Sequence, residues 1–315
     1  MTLAPKAWTI DNPAWARAKP QLSVLIPFLR DDPAPLLRAL DLEAVQLDGA
    51  VELIALDDGT NDDALAERVA GLVGQLYVPA RFIRLRVNQG RSRGRNRLAA
   101  DARGGHYLFL DSDMAPDSPR FLQNWLDLVR GGDPALAFGG FTLDQTPKTR
   151  EHALHRAVSL LADCQPASVR AREPEKLLCT SNLLVRTDVF HAEAFDEAFK
   201  GWGWEDVEWA SRVSRRWPVL HIDNTASHLG LDTDRALLAK YEQSPANFAR
   251  MAAKHPEKVA AFPSYRLARR LKPVPGRKLL ERLARSAALA SGLPMRLRAL
   301  AAKLYRVLLY AEVIG

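Results

Sequence analysis

The stretch Tyr107-Leu108-Phe109-Leu110-Asp111-Ser112-Asp113-Met114 constrains this chain more than any other. Four apolar or aromatic residues run unbroken into two aspartates spaced by one. Gly104-Gly105 precedes the run and Pro116 follows it, so it reads as a buried central strand. Its carboxylates fall at the strand's end, where open α/β sheets place ligands. In extended backbone, residues i and i+2 point the same way. Asp111 and Asp113 are therefore expected to share one face, with a repulsion on the order of 2 kcal/mol. A divalent cation would turn that repulsion into a binding site, and oxygen ligands suit Mg²⁺ or Mn²⁺. The spacing alone does not decide, because Asp232-Thr233-Asp234 repeats it with no strand before it.

Further runs supply a sheet around that strand. Leu22–Ile26 is apolar and stops at Pro27, and Val51–Leu56 ends in Asp57-Asp58-Gly59-Thr60. Arg81–Val87 alternates as a strand, Asn88-Gln89-Gly90 turns the chain, and Arg91–Arg103 reads as a basic helix. Helical spacing fills residues 35–40 and 63–76. Strands alternating with helices imply an α/β fold with a mostly parallel, Rossmann-like sheet flanked by helices. Four regions follow from the pattern: an irregular arm over 1–20 packed by Trp8 and Trp15, a nucleotide-binding half over 21–130, a second half over 131–235, and a basic helical extension over 236–315. In the second half, a strand is expected over 135–143, a helix over 151–162, a mobile loop over 165–175, a strand over 177–186 and a helix from 201 to 215. A last short strand, 219–222, leads to His228.

Charge separates the ends of the chain. Residues 265–315 hold twelve Lys/Arg and two Asp/Glu, a net +10, while residues 1–264 carry −3 against +7 for the whole. That distribution argues against nucleic acid along the body and for an anionic partner at the tail. Leu297, Leu300, Ala301, Leu304, Leu308 and Ala311 form one apolar stripe there, and Leu279, Leu280, Leu283 and Ala287 a shorter one. Such helices either lie on an anionic membrane surface or pack on the body or a second subunit. No apolar run approaches the ~18 residues a spanning helix needs, and residues 1–21 lack the apolar core of a signal peptide. Cys164 and Cys179 are isolated, without metal-ligand spacing, as expected of reduced thiols in a cytoplasm.

Three more motifs carry chemistry. Asp57-Asp58-Gly59 is either a simple turn or a ligand contact at a strand end. Asn88 through Asn96 opens a helix with unpaired backbone N–H groups and several guanidiniums, which suits a diphosphate or simply a solvated basic face. Neither a dinucleotide fingerprint nor a P-loop is present. Gly201-Trp202-Gly203-Trp204-Glu205-Asp206-Val207-Glu208 sets two indoles beside adjacent carboxylates. This is the composition of a general-base site that holds a sugar, or of an acidic helix start with core tryptophans. Were the aspartates to bind metal, His228 is preferred over His221 as a further ligand.

In this order, Val24-Leu25-Ile26-Pro27, Asp57-Asp58-Gly59, Asn88-Gln89-Gly90 with Arg95-Asn96, and Asp111-Ser112-Asp113 resemble family 2 glycosyltransferases of the GT-A fold, from about Leu22 to His228. The block Phe195–Glu208 resembles the acceptor motif of β-1,4-galactosyltransferases and chondroitin-type polymerases. The resemblance implies an inverting, metal-dependent transfer of a hexose or N-acetylhexosamine from a UDP-sugar to a glycan or lipid-linked acceptor, in bacterial surface polysaccharide synthesis. It implies donor contacts at Pro27, Asp58, Asn88, Arg95, Asp111 and Ser112, Mn²⁺ or Mg²⁺ at Asp113 and His228, acceptor contacts at Glu205, Trp202 and Trp204, and Asp206 as base. Trp204 stands where relatives usually have glycine, which is expected to narrow a pocket. A homo-oligomer and a peripheral location on the cytoplasmic face of the inner membrane fit the same reading. Its rivals are a retaining transferase, since the W-G-x-E block also resembles polypeptide N-acetylgalactosaminyltransferases, and a silent nucleotide-sugar-binding scaffold. A nucleotidylyltransferase is disfavoured because no Gly-rich loop follows the first strand.

Overall fold

The computed structural model describes residues 7–175 and 177–314. The chain divides into two compact units. The first comprises Met1–Thr146, Gln165–Glu197 and Trp209–Gly230, and the second Pro147–Cys164, Ala198–Glu208 and Leu231–Gly315. The division falls inside the helix Glu205–Val213, after Glu208.

Unit 1 holds all eleven strands described: β1 Ala7–Asp11, β2 Leu22–Phe28, β3 Val51–Asp57, β4 Ala80–Leu85, β5 His106–Leu110, β6 Met114–Pro116, β7 Leu136–Phe138, β8 Phe141–Thr142, β9 Asn182–Arg186, β10 Val219–His221 and β11 Ala226–His228. Eight form one sheet in the order β1-β4-β3-β2-β5-β9-β7-β10, and β6-β11-β8 form a second. The β4-β3-β2-β5 centre is parallel, as the alternation of strands and helices predicts. β2 and β5 are continuous apolar runs because both faces are covered. One face packs under the helices Ala34–Ala44, Asp63–Gln75 and Phe121–Gly132. Asp62 caps the second of these, its carboxylate accepting the N–H of Leu65 at 3.0 Å.

The structure corrects three expectations. The arm is not irregular where it is described, from residue 7 onward; the expectation for residues 1–6 lies outside the described residues. β1 pairs with β4 and covers an edge that would otherwise be open. Trp15 does pack, between the guanidiniums of Arg81 and Arg103 at 4.5 and 3.7 Å. The strand expected over 135–143 is two strands in different sheets. A Cβ at Gly139 would lie 2.8 Å from the Trp125 ring, so the backbone passes too close for a continuous ladder. The segment 165–175 is not a mobile loop. It contains the helix Ala167–Arg170, and the fully buried Arg170 donates to the carbonyls of Gln165, Phe138, Gly139 and Ile222 at 2.7–3.2 Å.

Unit 2 is helical among its described residues. Its core joins Leu154, Leu237, Tyr241, Ala284, Ala302, Tyr305 and Leu308, with a second cluster around Phe248, Met251, Val307 and Tyr310. The Asp232-Thr233-Asp234 repeat is structural. Thr233 caps the helix Asp234–Gln243, Asp234 accepts from Leu154 N–H and pairs with Arg298, and Asp232 pairs with Lys240 at 2.6 Å. The tail stripe splits: Leu308 and Ala311 are buried, whereas Leu297 and Leu300 are 51% and 63% exposed. No helix among the described residues is long and apolar enough to cross a membrane.

Candidate functional site

In unit 1, the strand ends gather the donor-side residues. Asp58 follows β3 and is 7% exposed; its two oxygens accept the N–H groups of Gln89 at 2.7 Å and Gly90 at 2.9 Å. Burial raises its pKa, against those two hydrogen bonds, and the neighbouring charge of Asp57 adds to the rise. A Cβ at Gly59 would sit 2.6 Å from the carbonyl carbon of Val87, so only glycine lets the two turns touch. Asp58 thus fixes the entry of the helix Arg91–Asp101, whose N-cap, Gly90, offers no side-chain acceptor. Asn88 is exposed on that turn, and Pro27 is half-buried near the end of β2.

Asp111 and Asp113 do not lie on extended backbone. β5 ends at Leu110, and the chain turns, with Met114 N–H donating to Asp111 O at 3.1 Å. The carboxylates therefore take different partners. Asp111 accepts from Arg95 Nη2 at 2.9 Å. Arg95 is 2% exposed, so it holds Asp111 from beneath rather than standing open to a ligand. Asp113 Oδ2 lies 3.2 Å from His228 Nε2. The β6–β11 pairing, which sets His228 opposite Met114, brings them together. Burial alone would raise the Asp113 pKa, but the hydrogen bond and charge of His228, together with the charge of Arg91, carry it below the ordinary value. Ser112, between the two acids, is 8% exposed.

Asp113 also borders a pocket of ≈ 900 Å³. Asp31, Asp32, Glu43, Asp117 and Asp144 line it as well, and no Lys, Arg or His does. Such a wall repels an unneutralised anion.

The remaining site residues belong to unit 2. Trp202 is half-buried, its ring 5.9 Å from Tyr241. Trp204 departs from expectation. Its indole does not narrow a pocket but is 9% exposed, packed on Phe248 at 4.7 Å, with Nε1–H donating to Tyr310 Oη at 3.0 Å. Its φ of 78° lies in the left-handed region, which costs a side chain about 1–2 kcal/mol and is free to glycine. Glu205 is buried at the start of its helix; Asp206 is half-buried, with Oδ1 accepting from Val207 N–H at 2.8 Å. Glu208 is fully buried and pairs with Lys254 at 2.7 Å and His255 at 3.2 Å.

No group of three or more His, Cys, Asp or Glu among the described residues is placed to hold a metal ion. Asp113 and His228 nevertheless fit two positions of a divalent cation, one oxygen and one nitrogen 3.2 Å apart. Gly230 was missed in the sequence; a Cβ there would lie 2.8 Å from Asp113 Cγ, so its backbone walls the carboxylate in. Asn96 was read only as part of a motif. It is a latch, donating to Phe195 O and accepting from Phe195 N–H, each at 3.0 Å.

The family model described as glycosyl transferase family 2 matches residues 23–192. No curated protein sequence matches the chain. Among solved structures, Staphylococcus aureus TarS 1–349 aligns at a TM-score of 0.52 and 15% identity, over 93% of this chain and 90% of that one. The same protein in complex with UDP aligns at 0.50 and 13%, over 93% and 90%. The mannosyltransferase PcManGT from Pyrobaculum calidifontis, in complex with GDP-Man and Mn²⁺, aligns at 0.53 and 14%, over 92% and 86%. These likenesses establish the GT-A fold. With more than half its length matched by the family model, the chain belongs to glycosyl transferase family 2 and is a glycosyltransferase.

Proposed function

We propose that the enzyme transfers a hexose or N-acetylhexosamine from a UDP-sugar to a hydroxyl of a glycan or lipid-linked acceptor, with inversion at the anomeric carbon, in surface polysaccharide synthesis. The observation that carries this reading is the turn after β5, where Asp111 rests on Arg95 and Asp113 faces His228. The UDP in one structural relative and the GDP-Man and Mn²⁺ in another make the nucleotide-sugar assignment specific enough to test.

The residues divide the work. Pro27, Asp58 and Asn88 border the base, and Asp111 and Ser112 meet the ribose. The N–H groups at the start of helix Arg91–Asp101 draw in the diphosphate. Asp113 and His228 would hold Mn²⁺ or Mg²⁺, which when bound supplies positive charge for the leaving diphosphate. Glu205, Trp202 and the backbone that Trp204 shapes orient the acceptor, as in the galactosyltransferase and chondroitin-polymerase motif that this block resembles. Asp206 takes the hydroxyl proton, and the oxygen then attacks the face opposite the leaving group. Release of UDP from a panel of UDP-sugars, with anomeric NMR of the product, tests the reading. Near-normal turnover in Asp206→Asn would remove Asp206 as base, and a retained anomer would favour the retaining mechanism.

The basic tail supports a further reading, a peripheral contact with the anionic inner face of a membrane. Leu279, Leu283, Leu297 and Leu300 are 51–63% exposed among the exposed Lys278, Arg282, Arg285, Arg296 and Lys303. Flotation with phosphatidylglycerol vesicles tests it. Leu297→Glu with Leu300→Glu is expected to abolish flotation, and equal flotation would remove the membrane role.

A further inference from the structure

The helix Met295–Val313 reaches the acidic motif of its own unit in a way that donor chemistry does not require. Between Gly201 and Trp204 three residues have positive φ: Gly201 at 75°, Gly203 at 88° and Trp204 at 78°. Two glycines adopt this region freely; a tryptophan does not. Left to itself, Trp204 would relax to an ordinary conformation. The first turn of the helix Glu205–Val213, which carries Glu205 and Asp206, would turn with it.

Two side chains oppose that relaxation. Tyr310 Oη accepts from Trp204 Nε1–H at 3.0 Å and from Arg306 Nε–H at 2.5 Å. Its own proton goes to Ser244 Oγ at 3.1 Å, whose hydroxyl donates to Tyr241 O at 2.9 Å. A phenol has one donor and two acceptor sites, so all three are used and the oxygen's place is over-determined. The Arg306 guanidinium lies 5.4 Å from the Trp202 ring, 5.9 Å from Trp204, 5.2 Å from Tyr241 and 5.5 Å from Tyr310. One cation therefore contacts both tryptophans of the motif. From the helix Pro245–Lys254, Asn247 Nδ2 ties down the loop backbone at Lys200 O and Gly203 O, at 2.8 and 2.9 Å.

We propose that Arg306 and Tyr310 are positioning residues for glycosyl transfer: they lock Trp204 in its left-handed conformation and so aim the Glu205–Asp206 turn at the acceptor. This rests on the reading of Asp206 as base. It makes the C-terminal helix part of the acceptor site, with Arg306 turned inward although its segment is the basic one. Ordinary core packing explains a melting temperature but predicts no selective effect on the acceptor step.

The test uses full-length Tyr310→Phe, Trp204→Phe, Arg306→Met, Arg306→Lys and the double variant Trp204→Phe/Tyr310→Phe. Hydrogen exchange at the amides of 203–208 needs no substrate. It is expected to quicken about tenfold in Tyr310→Phe, the equivalent of one net hydrogen bond, while the amides of β2 and β3 exchange as in wild type. Kinetics on the UDP-sugar and acceptor that wild type uses are expected to give a kcat about tenfold lower, a raised acceptor KM and an unchanged donor KM. The losses of Trp204→Phe alone and of Tyr310→Phe are expected to be less than additive in the double variant, because both changes break the same bond. Arg306→Lys is expected to recover part of what Arg306→Met loses. Unchanged exchange, or unchanged kcat and acceptor KM in folded Tyr310→Phe, overturns the proposal. Tyr310→Phe differs by one oxygen and keeps the test open if Arg306→Met does not fold. Asp206→Asn runs alongside. If it stays active, the base assignment is wrong. If it is inactive while Tyr310→Phe is normal, only the positioning role is lost.

Discussion

Gly230→Ala isolates the Asp113–His228 pair without touching either residue. Gly230 lies outside the left-handed region, so alanine brings no backbone strain there. The added methyl would sit 2.8 Å from Asp113 Cγ and nearer still to Oδ2, whereas non-bonded carbons settle at about 3.5–4.0 Å. The carboxylate must retreat by about 1 Å, which pulls Oδ2 out of its 3.2 Å contact with His228. A misplacement of about 1 Å in a reacting constellation costs about 100-fold, about 2.7 kcal/mol. Stability should change far less. Asp113 and His228 are 25% and 22% exposed, so their hydrogen bond contributes about 0.5 kcal/mol after solvent screening. Calorimetric titration of UDP with Mn²⁺, beside a melting curve, reads both quantities. The expected result is a loss of about 100-fold in Mn²⁺-dependent UDP affinity or in turnover, with Tm within roughly 2 °C of wild type. Wild-type affinity and turnover in a folded Gly230→Ala would refute the assignment of Asp113.

Arg95→Met strips a 2% exposed guanidinium from the Asp111 carboxylate. It is expected to cost on the order of 3 kcal/mol, lowering Tm by roughly 6 °C and weakening nucleotide binding; a melt within a degree of wild type would contradict the role given to the pair. Glu43→Gln should stabilise the fold at neutral pH. Burial raises the Glu43 pKa, against the N–H groups of Gln123, Leu122 and Phe121 and the charge of Arg120. A carboxyl with a folded pKa above its unfolded value weakens the fold wherever it is ionised, and that penalty fades as pH falls through the folded value. Glutamine keeps the acceptor for Gln123 N–H. The variant should melt roughly 1–3 °C higher at pH 7, the gain being limited by partial exposure, and lose its advantage near pH 4.

Local pattern carried the centre of the molecule. β2, β3 and β5 were legible because strands buried on both faces read as unbroken apolar runs, with Asp at the ends of β3 and β5, although β2 continues through Pro27 to Phe28 instead of stopping there. What depended on distant partners was not legible. β1 exists because β4 offers an edge, and the break at Gly139 exists because Trp125 lies beside it. The tail stripe predicted one buried face, but the other helices of its unit decide which leucines are covered, and Leu297 and Leu300 are not. At the site, the residue types were readable and their directions were not. The turn at Asp111 ends the extended backbone that the spacing assumed, and Arg95 is buried against Asp111. Gly230 carried no signal, because its role arises from a backbone passing a side chain more than a hundred positions away.

Thermal unfolding with UDP, GDP and CDP, each with and without Mn²⁺, tests the central claim most directly. A ligand at a hundred times its Kd stabilises by about 2.7 kcal/mol, or roughly 5 °C in a chain of this size. A shift of that order with UDP that requires Mn²⁺ is the predicted result. A shift with GDP or CDP instead would keep the fold and replace the donor. No shift with any of the three would contradict the nucleotide-sugar site.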